Sequence, residues 1–168
     1  MATEDLKSTA VTNADATPIV KSSQLELGGS VRAAFATLET AGGDLGSTYR
    51  FIRVPARARV TRVEYACDDQ GTAVTFNVGL YDVEDSAVED ADFFASALDV
   101  ATAAVARTDI TYESGVVTAE NAGKALWEQL GLANTVDNKS KEFDIYVTSA
   151  GAAATGTVSL WVEYVLPE

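Results

Sequence analysis

The sequence predicts an all-β protein: an antiparallel β-sandwich or jelly roll of about seven or eight strands, with one short helix and an extended N-terminal arm. Apolar and polar residues alternate with a period of two through most of the chain, and Gly, Asp and Asn separate the alternating runs. The chain has 168 residues, of which 47% are hydrophobic, a length and composition typical of one folded domain.

The N-terminal segment differs from the rest of the chain. It contains Thr17-Pro18, Ser22-Ser23 and Gly28-Gly29, and it lacks the apolar periodicity of a helix or strand. We therefore expect an extended arm over residues 1–29 and a folded domain over residues 30–168. The N-terminus is polar and has no apolar stretch like that of a secretory signal, and no apolar run is long enough to span a membrane. We expect no membrane partner.

Seven runs have the alternation of half-buried strands, and the clearest of them places Val74, Phe76, Val78 and Leu80 on one face. In the last run Trp161 faces away from the apolar side chains, where an exposed tryptophan can serve as an interface anchor. The predicted strands are residues 30–39, 47–54, 57–65, 73–83, 108–113, 142–149 and 156–165.

Two segments depart from this alternation. Residues 118–130 predict a helix of about three turns, with Thr118 as its N-cap and Gly131 as its C-terminal stop. Residues 90–104 leave two alternatives open, because their apolar residues have helical spacing but the segment could also be an irregular connection.

The inventory of reactive side chains argues against an enzyme. The chain has no histidine and one cysteine, Cys67, which excludes Ser-His-Asp and Cys-His nucleophilic sites and histidine ligation of metals. Cys67 lies among apolar strand positions, which indicates a buried core residue. No phosphate-binding, dinucleotide-binding or metalloprotease motif occurs. We expect no catalytic residue, no cofactor and no metal.

The acidic segment 82–92 holds six carboxylates. Clustered oxygen ligands suit Ca²⁺, but the spacing does not match an EF-hand loop and no glycine provides its sharp turn. A solvated acidic loop is the other interpretation, and the spacing favours it.

Positive charge is concentrated in one stretch. The formal net charge is −13, yet residues 50–62 carry five arginines and no acid. A nucleic-acid patch, an anion-binding active site and an interface for an acidic partner are the three interpretations. The overall charge repels nucleic acid, so we expect no such partner. Arg57 and Arg59 share a face of an extended segment, whereas Arg50 and Arg53 lie on opposite faces of the preceding strand. Ion pairs within the chain and bridges to another subunit both remain open.

Five segments, in this order, resemble a group of small structural proteins of tailed phages and prophages. They are DLKSTAVTNADATP (5–18), GSTYRFIRVPARARV (46–60), NVGLYDV (77–83), DADFFASALDV (90–100) and KALWEQLGL (124–132). The resemblance covers the chain from about Asp5 to Val165. It implies a non-enzymatic virion protein of the capsid decoration, or cement, type on the capsid exterior. Its expected partners are the major capsid protein and copies of itself, most simply as a trimer at a three-fold position.

A decoration protein would contact the capsid or other subunits through its arm and its arginines. The alternative is a virion adhesin, or a carbohydrate-binding spike or tail module, in which Tyr81, Trp127 and Trp161 would stack on sugars. The expected contact residues are Arg50, Arg53, Arg57, Arg59, Arg62 and Trp161 in the domain, and Leu6, Lys7, Pro18 and Ile19 in the arm.

Overall fold

The protein is described by a computed structural model, which covers residues 7, 9–18, 20, 30–85, 87–101 and 103–166. These residues form eight strands in two antiparallel sheets of four. The strands are β1 (Val31–Gly43), β2 (Thr48–Pro55), β3 (Arg59–Cys67), β4 (Thr75–Asp82), β5 (Val88–Asp99), β6 (Val105–Asp109), β7 (Glu142–Ala150) and β8 (Ala154–Val165).

The strand order is that of a jelly roll, so the predicted fold class is confirmed. One sheet has the order β1-β8-β3-β6 and the other β2-β7-β4-β5. In the first sheet β8 lies between β1 and β3, and β1 lies at the edge with its register running from Val31 opposite Val165 to Gly43 opposite Ala154. We refer to these as the β1 sheet and the β2 sheet.

The core lies between the two sheets and is built by the alternation that the sequence predicts. From β4, Phe76, Val78 and Leu80 are buried, and from β8 Leu160 and Val162 are fully buried opposite them. Side chains of both sheets belong to one apolar cluster. Burial of a side chain of this size stabilises the fold by about 1.5–3 kcal/mol, so this cluster is the main source of stability.

Neither alternative stated for residues 90–104, a helix or an irregular connection, is correct, because residues 90–99 belong to strand β5. Its pairing with β4 shifts register at three places, so the period of two is lost there. Phe93 and Phe94 are both fully buried although they are adjacent in sequence, and their rings meet edge to face at 4.9 Å. The β5 backbone approaches β4 at Gly79, where a Cβ atom would meet the carbonyl groups of Asp90 and Ala91.

The predicted helix over 118–130 is mostly wrong. The described residues contain three short helices, α1 (Thr9–Asp15), α2 (Leu126–Gln129) and α3 (Val136–Ser140), and residues 119–123 form turns. Helix α2 begins late because the backbone N–H groups of Leu126 and Trp127 donate to carbonyls of the β2–β3 connection, at 3.0 Å each, instead of to the preceding turn. The N-cap is therefore Ala125 and not Thr118.

Two other boundaries differ from the predictions. Strand β6 ends at Asp109, and residues 111–114 form a turn where the sequence predicted a strand over 108–113. The arm was expected to be extended, but α1 is helical. None of the described arm residues belongs to the core cluster. No helix in the described part of the chain is both long and apolar enough to cross a membrane.

Candidate interaction surface

The connection between β2 and β3 is held rigidly by its backbone. Ala56 and Ala58 are fully buried. The N–H of Ala56 donates to the carbonyl of Lys141 at 2.9 Å, and the carbonyls of Ala56 and Ala58 accept from Trp127 and Leu126 at 3.0 Å each. The two small side chains let the connection pack against the α2 segment, and the residues that alternate with them point outward.

Those alternating residues are Arg57 and Arg59, and both line one cleft of about 640 Å³. The prediction that they share a face is thus confirmed. Trp127 and Lys139, from α2 and α3, line the same cleft and were not predicted as partners of the arginines. Nothing near residue 57 in sequence indicates them, because the α2–α3 segment reaches the cleft only through the backbone bonds just described. We call this surface the basic cleft.

The cations of the basic cleft have no carboxylate partner within the described residues. No described acid lies within 4.0 Å of Arg57, Arg59 or Lys139, although Lys139 Nζ lies 5.3 Å from the centre of the Trp127 ring. The Nε atom of Arg59 is buried and has no hydrogen-bond acceptor among the described residues. A buried donor without an acceptor costs about 1–3 kcal/mol.

The two carboxylates that line the basic cleft are directed elsewhere. Glu128 accepts a hydrogen bond from the Ala125 N–H at 3.0 Å and so caps the start of α2. Glu142 lies 4.0 Å from Arg53 on the neighbouring strand. The cleft therefore presents uncompensated positive charge on a protein whose net charge is −13.

The other three arginines of the stretch pair within the chain. Arg53 donates to both oxygens of Asp144, at 2.8 and 3.1 Å, and this bond raises the pKa of Arg53. Arg50 lies 3.8 Å from the same carboxylate and 3.6 Å from the centre of the Tyr81 ring. The prediction that Arg50 and Arg53 lie on opposite faces is wrong, because a register shift between Arg50 and Ile52 brings both to Asp144.

Arg62 belongs to a separate group of charges on the outside of the β1 sheet. It lies 3.4 Å from Glu64 and 3.5 Å from Asp109, and Arg107 donates from Nε to Glu64 at 2.7 Å. Glu64 is buried under these two guanidinium groups. Arg62 thus forms ion pairs within its own chain, which is one of the two alternatives left open by the sequence. Its role as a contact residue remains a prediction.

Trp161 lies on the outer face of the β1 sheet and is only half-buried. Phe35, directly opposite it on β1, packs against its ring with 4.9 Å between centroids and is itself 58% exposed. The guanidinium of Arg107 lies 4.8 Å from the centre of the Trp161 ring. Trp161 and Phe35 therefore form an aromatic pair at the surface, with one side already in contact with a cation.

The acidic segment 82–92 is paired with a cation from another part of the chain, Lys141. The carboxylates of Asp82, Asp85 and Glu89 lie within 4.8 Å of one another. The ammonium group of Lys141 donates to Asp82 and lies 3.9 Å from Glu89. Asp82 is fully buried, so it does not belong to a solvated loop as the sequence suggested, and Lys141 provides positive charge where a bound cation would otherwise be needed.

Hydrogen bonds keep the Asp82 carboxylate ionised. Burial disfavours its charged form, but the bonds from Lys141 and from the backbone N–H groups of Glu84 and Asp85 outweigh burial, so the pKa of Asp82 lies below its usual value. The bond to Asp82 raises the pKa of Lys141. Burial, in contrast, raises the pKa of Glu89.

The remaining predicted residues are spread over the chain. Lys7 and Pro18 are exposed, and Lys7 pairs with Asp15 at 2.7 Å inside the arm. Leu6 and Ile19 lie outside the described residues. Cys67 is buried, as predicted, and burial raises the pKa of its thiol.

An eight-stranded jelly roll with a basic cleft is the class of structure that these observations define. It is similar in fold to a chain of the structure titled "Cyanophage Pam1 capsid asymmetric unit", with a TM-score of 0.52, 24% identity, and coverage of 83% of this chain and 87% of that one. It is similar to a chain of the "Capsid of Ralstonia phage GP4", with a TM-score of 0.54, 18% identity, and coverage of 83% and 86%. At these identities the likeness establishes a shared fold. No protein-family model and no curated protein sequence matches the chain.

Proposed function

We propose that the protein is a virion structural protein of a tailed phage that binds the outside of the capsid and stabilises it. The observation that carries this proposal is the fold likeness over 83% of the chain to chains in two phage capsid structures. The segments that resemble small virion proteins run through the same part of the sequence and support it independently.

A non-enzymatic role is part of the proposal. The sequence has no histidine, and its one thiol is buried with a raised pKa, which disfavours the reactive thiolate. The charges of Asp82, Asp144 and Glu64 are each neutralised by a basic side chain of the same chain. These carboxylates therefore support the fold and are not poised for acid–base chemistry.

The arm, residues 1–29, is proposed to bind the major capsid protein, with Leu6, Lys7, Pro18 and Ile19 among its contacts. None of its described residues contributes to the core, so the arm is available for another surface. A segment laid across neighbouring subunits gains backbone hydrogen bonds that offset the entropy lost on ordering it. The domain, residues 30–168, would then project outward and present its acidic surface to solvent.

Copies of the protein are proposed to associate, most simply as a trimer at a three-fold position of the capsid. The unpaired cations of the basic cleft support this part of the proposal, because Arg57 and Arg59 can bridge to carboxylates of a neighbouring subunit. Arg50, Arg53 and Arg62 can contribute through the exposed parts of their side chains, which are 43–50% accessible.

The adhesin alternative receives less support from the aromatic side chains on which it depends. A cation lies over each of their rings: Arg50 over Tyr81, Lys139 over Trp127 and Arg107 over Trp161. Sugar stacking needs a free ring face, and these contacts reduce the faces available on each ring from two to at most one.

The copy number of the protein in purified virions tests the proposed function. A decoration protein should be present at a ratio near one to the major capsid protein, or at a simple lattice fraction, as measured by quantitative mass spectrometry. A few copies per particle would contradict capsid decoration and indicate a spike or tail component.

A further inference from the structure

Two oppositely charged surfaces lie next to each other on this domain. The first is the basic cleft. The second is the turn that follows β4, residues 83–85, which we call the acidic turn. The two are joined through consecutive residues of the chain: the carbonyl of Lys141 accepts from Ala56, beside Arg57, and the carbonyl of Glu142 accepts from Val83 at 3.1 Å.

The acidic turn also carries charges that have no partner in the described residues. Glu84 and Asp85 are exposed, and neither has a basic group within 4.0 Å in that part of the chain. Lys141 also attracts Asp85, but its ammonium group donates to Asp82 and lies 3.9 Å from Glu89. The two acids of the turn are therefore opposite in charge to the three cations of the cleft that are unpaired among the described residues, Arg57, Arg59 and Lys139.

Exposed apolar side chains accompany both surfaces. Val136 is 82% exposed at the rim of the basic cleft, and Val88, at the start of β5 beside the acidic turn, is 52% exposed. Surfaces that join copies of a protein combine an apolar contact with charge pairs around it. A solvated salt bridge alone contributes little, so the two valines strengthen the case for a protein partner over a free anion.

We infer that the basic cleft is the docking site for the acidic turn of a second copy of this chain. Glu84 and Asp85 of one copy would pair with Arg57 and Arg59 of the next, and Val88 would pack near Val136. The inference rests on the homo-oligomer of the proposed function and names the surfaces that form it. Nucleic acid is the less suitable anion, because a net charge of −13 repels it from the rest of the surface.

Two symmetries allow this contact to form a closed oligomer. If a two-fold axis relates the copies, each acidic turn enters the partner's cleft, and two equal contacts form. If the contact is head to tail, it forms a ring with one contact per subunit, as a trimer requires. Charge reversal distinguishes these arrangements as well as testing the contact itself.

The test uses the full chain without capsid, measured by size-exclusion chromatography with light scattering. Wild type should elute as an oligomer of the 17.7 kDa chain. The cleft variant Arg57→Glu/Arg59→Glu and the turn variant Glu84→Arg/Asp85→Arg should each be monomeric, because like charges then face each other. The control is Arg32→Glu/Lys124→Glu, which makes the same change of net charge as the cleft variant at exposed cations without an ion pair in the described residues, and it should stay oligomeric.

The decisive measurement is whether assembly returns when opposite charges face each other again. One chain that carries all four reversals has an acidic cleft and a basic turn, so it should assemble like wild type whatever the symmetry. A mixture of the cleft variant with the turn variant should form a closed mixed dimer if the axis is two-fold. It should form no closed trimer if the contact is head to tail, because any ring of three contains one contact between two copies of the same variant. Far-UV circular dichroism verifies that each variant keeps the wild-type spectrum. If the cleft variant does not keep the wild-type spectrum, the turn variant provides the test, because its changes are on exposed side chains.

Three results would overturn the inference: a monomeric wild type at the highest soluble concentration, a turn variant that still assembles, or a four-residue reversal that does not. These failures are distinguishable from failure of the proposed function. A protein that is abundant on virions but monomeric in solution would refute the docking site and keep capsid decoration. An oligomer that depends on these charges, formed by a protein present at only a few copies per virion, would support the docking site and refute capsid decoration.

Discussion

Replacing Lys141 with methionine removes the ammonium group that neutralises the buried Asp82 carboxylate. The Asp82 side chain is 0% exposed and that of Lys141 17% exposed, so water cannot substitute fully for the lost partner. Removing one member of a buried pair costs about 3–5 kcal/mol. We expect the lower end, about 3 kcal/mol, because Asp82 keeps a hydrogen bond from the Glu84 N–H at 2.8 Å. For a domain of this size that loss lowers the melting temperature by roughly 6–12 °C.

The pH dependence of this loss identifies its cause. The folded-state pKa of Asp82 is depressed, so in wild type its contribution is present above the unfolded value of about 3.9 and is lost as the pH falls through the folded pKa. In Lys141→Met the buried carboxylate takes up a proton at a higher pH, which relieves its isolation. The difference between wild type and variant should therefore shrink between pH 7 and pH 4.

Urea unfolding at one fixed protein concentration measures these differences, since association would otherwise change the apparent stability. Lys124→Met is the control, because Lys124 is exposed and forms no ion pair in the described part of the chain; it should change the free energy of unfolding by less than about 0.5 kcal/mol. A loss below about 1 kcal/mol for Lys141→Met at pH 7, or a loss that does not vary with pH, would refute the reasoning.

Three further predictions follow from the fold. Deleting residues 2–27 should leave a folded β domain, as judged by circular dichroism, but abolish binding to particles stripped of the protein; unchanged affinity would show that the arm is not the anchor. Gly79→Ala should lower the free energy of unfolding by at least about 2 kcal/mol in urea, because its Cβ would meet the β5 backbone, and a neutral effect would mean that β5 moves aside. Burial, together with the Asp92 carboxylate, raises the pKa of Asp90 in the folded protein. The free energy of unfolding of wild type should therefore fall relative to that of Asp90→Asn as the pH rises above about 4. Parallel pH profiles of the two proteins in urea unfolding would contradict this.

The strands were predictable where one face of an antiparallel sheet packs on the core, since burial then alternates residue by residue. Strand β5 was not predictable, because its bulges place both Phe93 and Phe94 in the core. The apolar residues of this segment are then spaced as they would be on one face of a helix. The predicted helix over 118–130 failed for a tertiary reason. Its central N–H groups are used by the β2–β3 connection, and no local pattern reveals that competition.

The interaction surface was predictable only in part. Alternation alone places Arg57 and Arg59 on one face, and the alanines that alternate with them, Ala56 and Ala58, indicate close packing beneath. The partners of the other arginines depend on strand pairing: Arg53 and Asp144 are 91 residues apart and meet because β2 lies beside β7. Trp127 and Lys139 reach the cleft in the same indirect way, so composition and spacing could not assign them to it.

The position of β8 has a consequence for the order of folding. Among the described strands β1 hydrogen-bonds only to β8, and β3 bonds to β8 along most of its length, yet β8 is the last strand in chain order. At ordinary rates of translation β1 waits on the order of ten seconds for its partner. During that interval the N–H and C=O groups of β1 that later bond to β8 are open to other nascent chains, as such edges are in slow, non-local β topologies. Synthesis of this domain should therefore depend on chaperones that bind exposed strands until β8 inserts between its two neighbours.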